Sequence, residues 1–331
     1  MTAAIAPAPG APAARAQRRR HAVRAPLSAR YVLQRLATSV VAIWVVLTGV
    51  FFALLSTGDP AQLMVSPDAP ASQVAKVAAL MGFNKPVWEQ YLIFLRQLVS
   101  GHFPASIVFN EPSLPLVLDR LPASLVLGGT GLVLGVLTGG IVGYIAARSR
   151  FAVLRQPPVS ALTALDAVPT FFFGVLLIFI FAVHLQLLPA AGGGSLTTLI
   201  LPAVTLAVVV AAPVARIFRT AMIDTMELDH VRTARAKGIH PAAVMWRHVI
   251  VNSLPPVVNV IGVQAGTLLG GAVVTETLFS WPGVGQLSIY AIDNRDYPVV
   301  LATVFVIAVG FTLINLAVDL LAAALDPRSR R

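Results

Sequence analysis

Long apolar runs separated by short polar or basic ones dominate the chain. Residues 36–58 and 121–147 carry no charge, and none stands between Arg247 and Glu276. Residues 160–218 hold only Asp166, His184 and Arg216 among apolar neighbours. That last run is too long for one helix, and Pro189 with the turn Gly192-Gly193-Gly194-Ser195 divides it. Crossing a bilayer takes about 20 apolar residues in a helix. The pattern therefore predicts six spans, near 32–56, 121–147, 160–184, 198–220, 256–278 and 299–323. The first apolar run exceeds the roughly 7–15 residues of a cleavable signal's apolar region, which predicts an uncleaved span.

The segment 57–120 is the longest polar stretch. Ser72 suits the start of a helix ending at Gly82. A second, begun by Pro86 and ended before Gly101, puts Val87, Tyr91, Leu95 and Leu98 on one stripe. In the second span Gly131, Gly135, Gly139 and Gly143 recur every fourth residue, a face that permits close helix packing. In the fifth, Gln264, Thr267 and Thr275 share an arc of roughly 80° while Gly262, Gly266 and Gly270 lie on the other side. The polar arc suits either the lining of a wet path or hydrogen bonds between helices.

Composition places the chain in a class. It is 57% hydrophobic and 11% charged, against about a quarter charged in soluble domains. The absence of cysteine excludes disulfides, thiolate catalysis and thiolate metal sites. A formal charge of +10 would suit nucleic acid, but its placement says otherwise. All but five of the 24 Lys and Arg fall in the N-terminus, in 148–157, around 221–253 and at the C-terminus; Lys76, Lys85, Arg96, Arg120 and Arg295 are the exceptions. The positive-inside rule makes the first set cytoplasmic, so the charge reflects topology and no nucleic-acid partner is expected. Residues 1–30, Ala/Pro-rich and then basic, read as a disordered tail before a membrane domain at 31–331.

The loop 221–253 carries the most specific pattern. Arg232, Thr233, Ala234, Arg235, Ala236 and Lys237 are followed by Gly238 and Ile239, then by Pro241 and later Leu254-Pro255. The residues before Gly238 favour a helix, Gly238 would end it, and Pro241 would open another. The result is a basic glycine corner between two short helices on the cytoplasmic face. This loop resembles the ATPase-coupling loop of ABC-importer permeases, whose pattern is Glu-Ala-Ala, three residues, Gly, and later Leu-Pro. Arg232 departs from it by replacing the acid. Gly58-Asp59-Pro60-Ala61, Arg120-Leu121-Pro122-Ala123, Leu201-Pro202-Ala203, the stretch from Glu276 to Gly283, Arg295-Asp296-Tyr297-Pro298 and the ending from Asp319 to Arg328 likewise resemble the dipeptide/oligopeptide (peptide/nickel) permease family. The resemblance implies an all-α polytopic membrane protein of six transmembrane helices, like type I ABC-importer permeases. It would have a cytoplasmic coupling-helix loop and a small extracytoplasmic helical segment. It also implies partners in the lipid bilayer and around it: a second related permease, cytoplasmic ATPases that bind ATP and Mg, and an extracytoplasmic solute-binding protein. The chain itself would bind no cofactor.

No catalytic set is present. The chain lacks a Gly-x-x-x-x-Gly-Lys-Ser/Thr phosphate loop, a His-Glu-x-x-His metal motif and a Gly-x-Ser-x-Gly elbow. An ion-coupled secondary transporter remains the alternative; it calls for an inverted repeat and acids at mid-membrane. Glu276 is expected at the outer end of the fifth span, within reach of water. Asp166 and Asp319 are charges within apolar spans, which usually need partners. On straight spans Asp166 would lie about 9 Å deep and Arg216 roughly 6 Å from the same face. That suggests an ion pair, with Arg216 snorkelling to the interface, or Asp166 bonding to Ser160, Thr163 or water, as the alternatives. The topology predicts that a tag at Asn110 is labelled from outside the cell and one at Pro241 only after permeabilisation. External labelling at Pro241 would reverse the orientation.

Overall fold

The computed structural model describes the backbone of residues 29–56, 65, 70–81 and 84–325. The basic tail up to residue 28, the Gly58–Ala61 turn, the C-terminal six residues and the side chain of Asp319 lie outside the described residues. The described chain is helical: α1 (Ala29–Ser56), α2 (Ala71–Met81), α3 (Val87–Ser100), α4 (Ser113–Arg148), α5 (Ala152–Arg155), α6 (Pro157–Asp166), α7 (Thr170–Leu177), α8 (Leu196–Met226), α9 (Asp229–Ala236), α10 (Pro241–Val244), α11 (Val251–Leu278), α12 (Val284–Asp293) and α13 (Tyr297–Leu325). π-Helical turns at Ile178–His184 and Met245–Ile250 continue α7 and join α10 to α11. Among the described residues, four helical stretches are long and apolar enough to cross a membrane: Ser113–Arg148, Leu196–Met226, Pro241–Leu268 and Tyr297–Val318. The limbs of a bent pair, Ala152–Asp166 and Thr170–His184, together make up a fifth, and α1 contributes a shorter apolar stretch, Ala37–Ala53.

Three expectations about these elements change. The second span begins at Ser113 rather than near 121, so its first two turns are helix where an external loop was expected. The third is not a straight span over 160–184; its limbs meet at 100°. Pro169 explains the break, because the residue before a proline is pushed out of the helical region. The fifth does not start near 256. Helix runs from Pro241 through the π-turn and past Pro255 and Pro256, so the second half of the coupling loop is already the base of that span.

α8 is the central helix. In its most apolar window 61% is buried inside the chain, against 22–28% for the other three long spans. The glycine face of α4 explains why. A Cβ at Gly131 would lie 2.8 Å from Leu206 Cβ, one at Gly135 2.7 Å from the Ala207 carbonyl, one at Gly139 2.5 Å from the Ala211 carbonyl and one at Gly143 2.8 Å from the Ala215 carbonyl. Both series advance by four, so α4 and α8 run parallel, with glycines on one against Ala203, Ala207, Ala211 and Ala215 on the other. Removing side chains on both sides lets the backbones meet, which dispersion between helices in a bilayer requires. α13 packs antiparallel to α11: a Cβ at Gly262 would overlap Val318, and one at Gly266 would reach Phe311 at 2.9 Å. Gly270, expected on the same packing face, meets nothing. α3 lies against α1 through Phe51, Phe94 and Tyr91, with Phe51 and Phe94 stacked at 5.1 Å and Thr48 bonded to Tyr91 at 2.8 Å. Leu95 and Leu98 join that cluster, whereas Val87 stays half exposed.

Elsewhere large apolar side chains face outward, among them Trp44, Leu137, Ile141, Phe179 and Leu313. A water-soluble monomer rarely shows so continuous an apolar surface; a bilayer covers it. Gly139→Leu should cost about 1–3 kcal/mol or more, because the backbone of α8 cannot yield to the added side chain. The check is the yield of monodisperse detergent-extracted protein, which should fall sharply. Gly140→Leu, on the open face, should be extracted like the parent.

Candidate functional site: the coupling corner and the buried carboxylate

The coupling loop hangs from α8 at one end of the bundle. Its inner face is locked in. Val231 and Ala234 of α9, Val244 of α10 and Val249 of the π-turn are buried in the cluster that holds Phe218 and Met222. Ser253 Oγ lies 2.8 Å from the Val249 carbonyl and 3.2 Å from both the Ala221 carbonyl and Thr225 Oγ1, tying the end of α8 to the base of α11. The outer face is free: Arg232, Thr233, Arg235, Ala236, Lys237, Gly238 and Ile239 are all exposed. Ala234 thus anchors the loop instead of presenting itself to a partner.

The corner has the geometry of a left-handed helix end. Gly238 has φ +74°, its N–H donates to the Arg235 carbonyl at 3.0 Å, and the Ile239 N–H donates to Ala234 at 3.3 Å. These bonds satisfy carbonyls that the end of α9 would otherwise orphan. His240 Nδ1 then accepts from the Ala242 N–H at 3.3 Å and caps α10. Nothing would touch a Cβ at Gly238, so only the backbone, and no neighbour, demands glycine there. Arg232 lies 4.0 Å from Asp229, an exposed contact of little energetic weight.

At the opposite end of α11 stands a residue the sequence reading misplaced. Glu276 is not in water; it is 1% exposed. Its Oε1 accepts from Ser124 Oγ on α4 at 2.6 Å. Its Oε2 accepts from the N–H groups of Gly285 and Gln286 at 2.7 and 3.2 Å. Ser124 Oγ in turn accepts from the Val284 N–H at 2.8 Å. One carboxylate and one hydroxyl therefore cap the first turn of α12, where free N–H groups and the helix dipole favour negative charge. The close approach explains the glycines: a Cβ at Gly283 would overlap the carboxyl group, and one at Gly285 would sit 2.5 Å from Val273 Cα. Trp281, buried, donates from Nε1 to the Ala123 carbonyl at 2.9 Å, and the Gly192 N–H donates to Phe279 at 2.9 Å. The stretch from Glu276 to Gly285 thus clasps α4, α8's leading loop, α11 and α12 together. The sequence signal was the Gly-x-Gly pair opening a helix shortly after the only acid of an apolar run.

Asp296 repeats the device. It is 1% exposed and accepts from Ser106 Oγ and from the N–H groups of Ile107 and Val108 at 3.3 and 3.4 Å, pinning the 103–112 loop beside the start of α13. The other expected sites divide. Thr267 Oγ1 bonds Gln264 at 2.9 and 3.0 Å, and both stay accessible. Thr275, on the same arc, is 1% exposed and is shut off from solvent. Asp166 and Arg216 form no ion pair: both are exposed, and no salt bridge among the described residues joins them. The bend at Pro169 removed the straight span on which the depth argument for the pair depended. No cluster of His, Cys, Asp and Glu fit for a metal ion occurs among the described residues.

A helical bundle built on the parallel α4–α8 pair, with an exposed glycine corner at one end and a carboxylate-capped clasp at the other, is the architecture of a polytopic membrane protein. The model of the binding-protein-dependent transport system inner membrane component matches residues 139–331, and that family's N-terminal membrane component matches residues 28–128. The chain belongs to this family: it is a permease subunit of an ABC importer, a membrane component and not an enzyme, whose family works with ATPase and solute-binding partners. It is 38% identical over 304 residues to the glutathione transport system permease protein GsiC of Escherichia coli strain K12, covering 91% of this chain and 98% of the relative. It is equally identical over 303 residues to GsiC of Salmonella choleraesuis strain SC-B67, with the same coverage. The fold is similar to that of a chain in the inward-facing MetNI methionine ABC transporter, with a TM-score of 0.51 and 17% identity, over 63% of this chain and 96% of that one.

Glu276→Ala should leave Ser124 and two N–H groups without their acceptor, a loss of about 1–3 kcal/mol for each buried group. Thermal unfolding of the purified protein should occur at markedly lower temperature, with Glu276→Gln, which keeps one acceptor oxygen, falling between. An unchanged midpoint for Glu276→Ala would contradict the clasp.

Proposed function

We propose that this chain forms half of the translocation path of an ATP-driven importer for small peptides, glutathione among them, paired with a second related permease. The reading of the solute is supported by the near full-length likeness to glutathione permeases; nickel chelates or another small solute are the alternative within the same family. Six spans, with both termini and the 221–253 loop in the cytoplasm, 31–331 as the membrane domain and 1–30 as a basic tail, make up the proposed topology. The exposed residues of 232–239, anchored from within by Ala234, form the knob that enters a groove on one ATPase, with ATP and Mg held by that partner. Gln264 and Thr267 offer neutral polar groups to the path. Closure of the ATPases then stabilises one orientation of the permease pair over the other.

The observation that carries this reading is the coupling corner. Its inner face is rooted in the core and, from Pro241 on, helix continues through the π-turn into α11, so a push at the corner would reach a span through continuous helix. The test is uptake of labelled glutathione and short peptides into proteoliposomes holding both permeases, the ATPases and the binding protein. Uptake should require internal-face ATP. Gly238→Val places a branched side chain at positive φ, a strain of roughly 1–2 kcal/mol, and should insert normally yet lose ATPase association and uptake. Uptake driven by an ion gradient without ATPases would favour a secondary transporter instead.

A further inference from the structure

At the end of the bundle opposite the coupling loop a cavity of about 270 Å³ opens beside the clasp. Its lining is Phe109, Arg120, Gly283, Gln286, Leu287 and Tyr290, one cation and no acid. Arg120, half-buried on α4, has no ion pair or hydrogen bond with any described residue. The acids nearest in sequence on the surrounding elements, Glu111, Asp119 and Asp293, are exposed and outside the lining. Glu276 lies behind Gly283 with its oxygens engaged by Ser124, Gly285 and Gln286. Arg120 thus presents a guanidinium to the cavity that no protein carboxylate engages, and its fork can take one from a ligand. The side-chain amide of Gln286 and the hydroxyl of Tyr290 also lack partners among the described residues. Phe109 and Tyr290 place their rings 5.7 Å apart at the rim.

A guanidinium fork, an amide and a phenol beside two aromatic rings complement a carboxylate attached to a small organic body. The cavity exceeds what a bare inorganic anion fills, and the rings offer apolar surface to a carbon skeleton. We propose that this cavity is a mouth site that receives the carboxylate of the incoming solute before it enters the path. Arg120 holds the carboxylate, Gln286 and Tyr290 orient it, and Phe109 with Tyr290 covers the attached carbons. The inference rests on the importer reading for which end faces outward and for the class of solute.

The absence of cysteine makes the site testable without transport. Leu287→Cys, at a lining position with no part in holding the carboxylate, gives this chain one thiol at the cavity. In proteoliposomes of the assembled transporter, anionic sulfonatoethyl methanethiosulfonate should label it about tenfold faster, relative to the cationic trimethylammonium reagent, than in the same variant carrying Arg120→Gln. Glutathione and dialanine should slow labelling, dialanine amide should not, and Arg120→Gln should abolish the protection while Arg120→Lys keeps part of it. Equal protection by the amide, protection that follows anionic lipid instead of solute, or protection by solute-free binding protein would each overturn the site. Because labelling needs no ATP, a transporter that fails to take up peptides yet shows carboxylate protection would refute the importer's solute and leave the cavity standing.

Discussion

The contact between α4 and α8 is the constraint on which the remaining structure hangs. Two parallel helices approach until the carbonyls of one lie where the side chains of the other would be, at Gly135, Gly139 and Gly143. In a bilayer apolar side chains gain nothing by leaving lipid for protein, so close backbone contact must hold the helices together. Parallel neighbours also require the chain to return between them. That return is made by α5, α6 and α7, bent at Pro169, and by the loop that leads into α8. Arg219 Nε on α8 donates to the Arg155 carbonyl at 3.1 Å and ties the start of this return to the end of α8.

The two ends of this spine are finished differently. One ends in a loop whose buried residues, Val231, Ala234, Val244 and Val249, belong to the same cluster as α8. The glycine corner outside them is exposed and unsupported by neighbours. The other end is fastened by Glu276 and Asp296, buried carboxylates whose partners are chiefly backbone N–H groups and serine hydroxyls. A carboxylate that accepts several hydrogen bonds can be buried where an unpaired one cannot. The clasp therefore fixes the geometry of its end of the bundle, while the corner at the other end stays exposed.

Much of this was legible along the chain. Uncharged runs located the long helices, the four-residue glycine rhythm of α4 identified its packing face, Gly238 marked the corner, and Pro86 and Gly101 bracketed α3. These features are local: each follows from one residue's backbone freedom or from a helical period. The family words around Glu276 and Asp296 were visible too, but their meaning was not. A carboxylate near the end of an apolar run reads as a group in water until the chain folds α12 across it.

Sequence alone determined that the chain is a helical membrane protein with a basic loop turned at a glycine corner, because burial in lipid forces long apolar helices and forces charge to their ends. Only the tertiary structure decided the rest. It separated Thr275 from Gln264 and Thr267, which share an arc on one helix, because other elements cover one end of that arc and not the other. It dissolved the pairing of Asp166 with Arg216, since depth computed along a straight helix loses meaning at a bend. It also turned Glu276 from an outer-surface charge into the acceptor at the centre of the clasp. Helical period fixes which way a side chain points; what stands in front of it is set by residues more than a hundred positions away, as Ser124 is from Glu276.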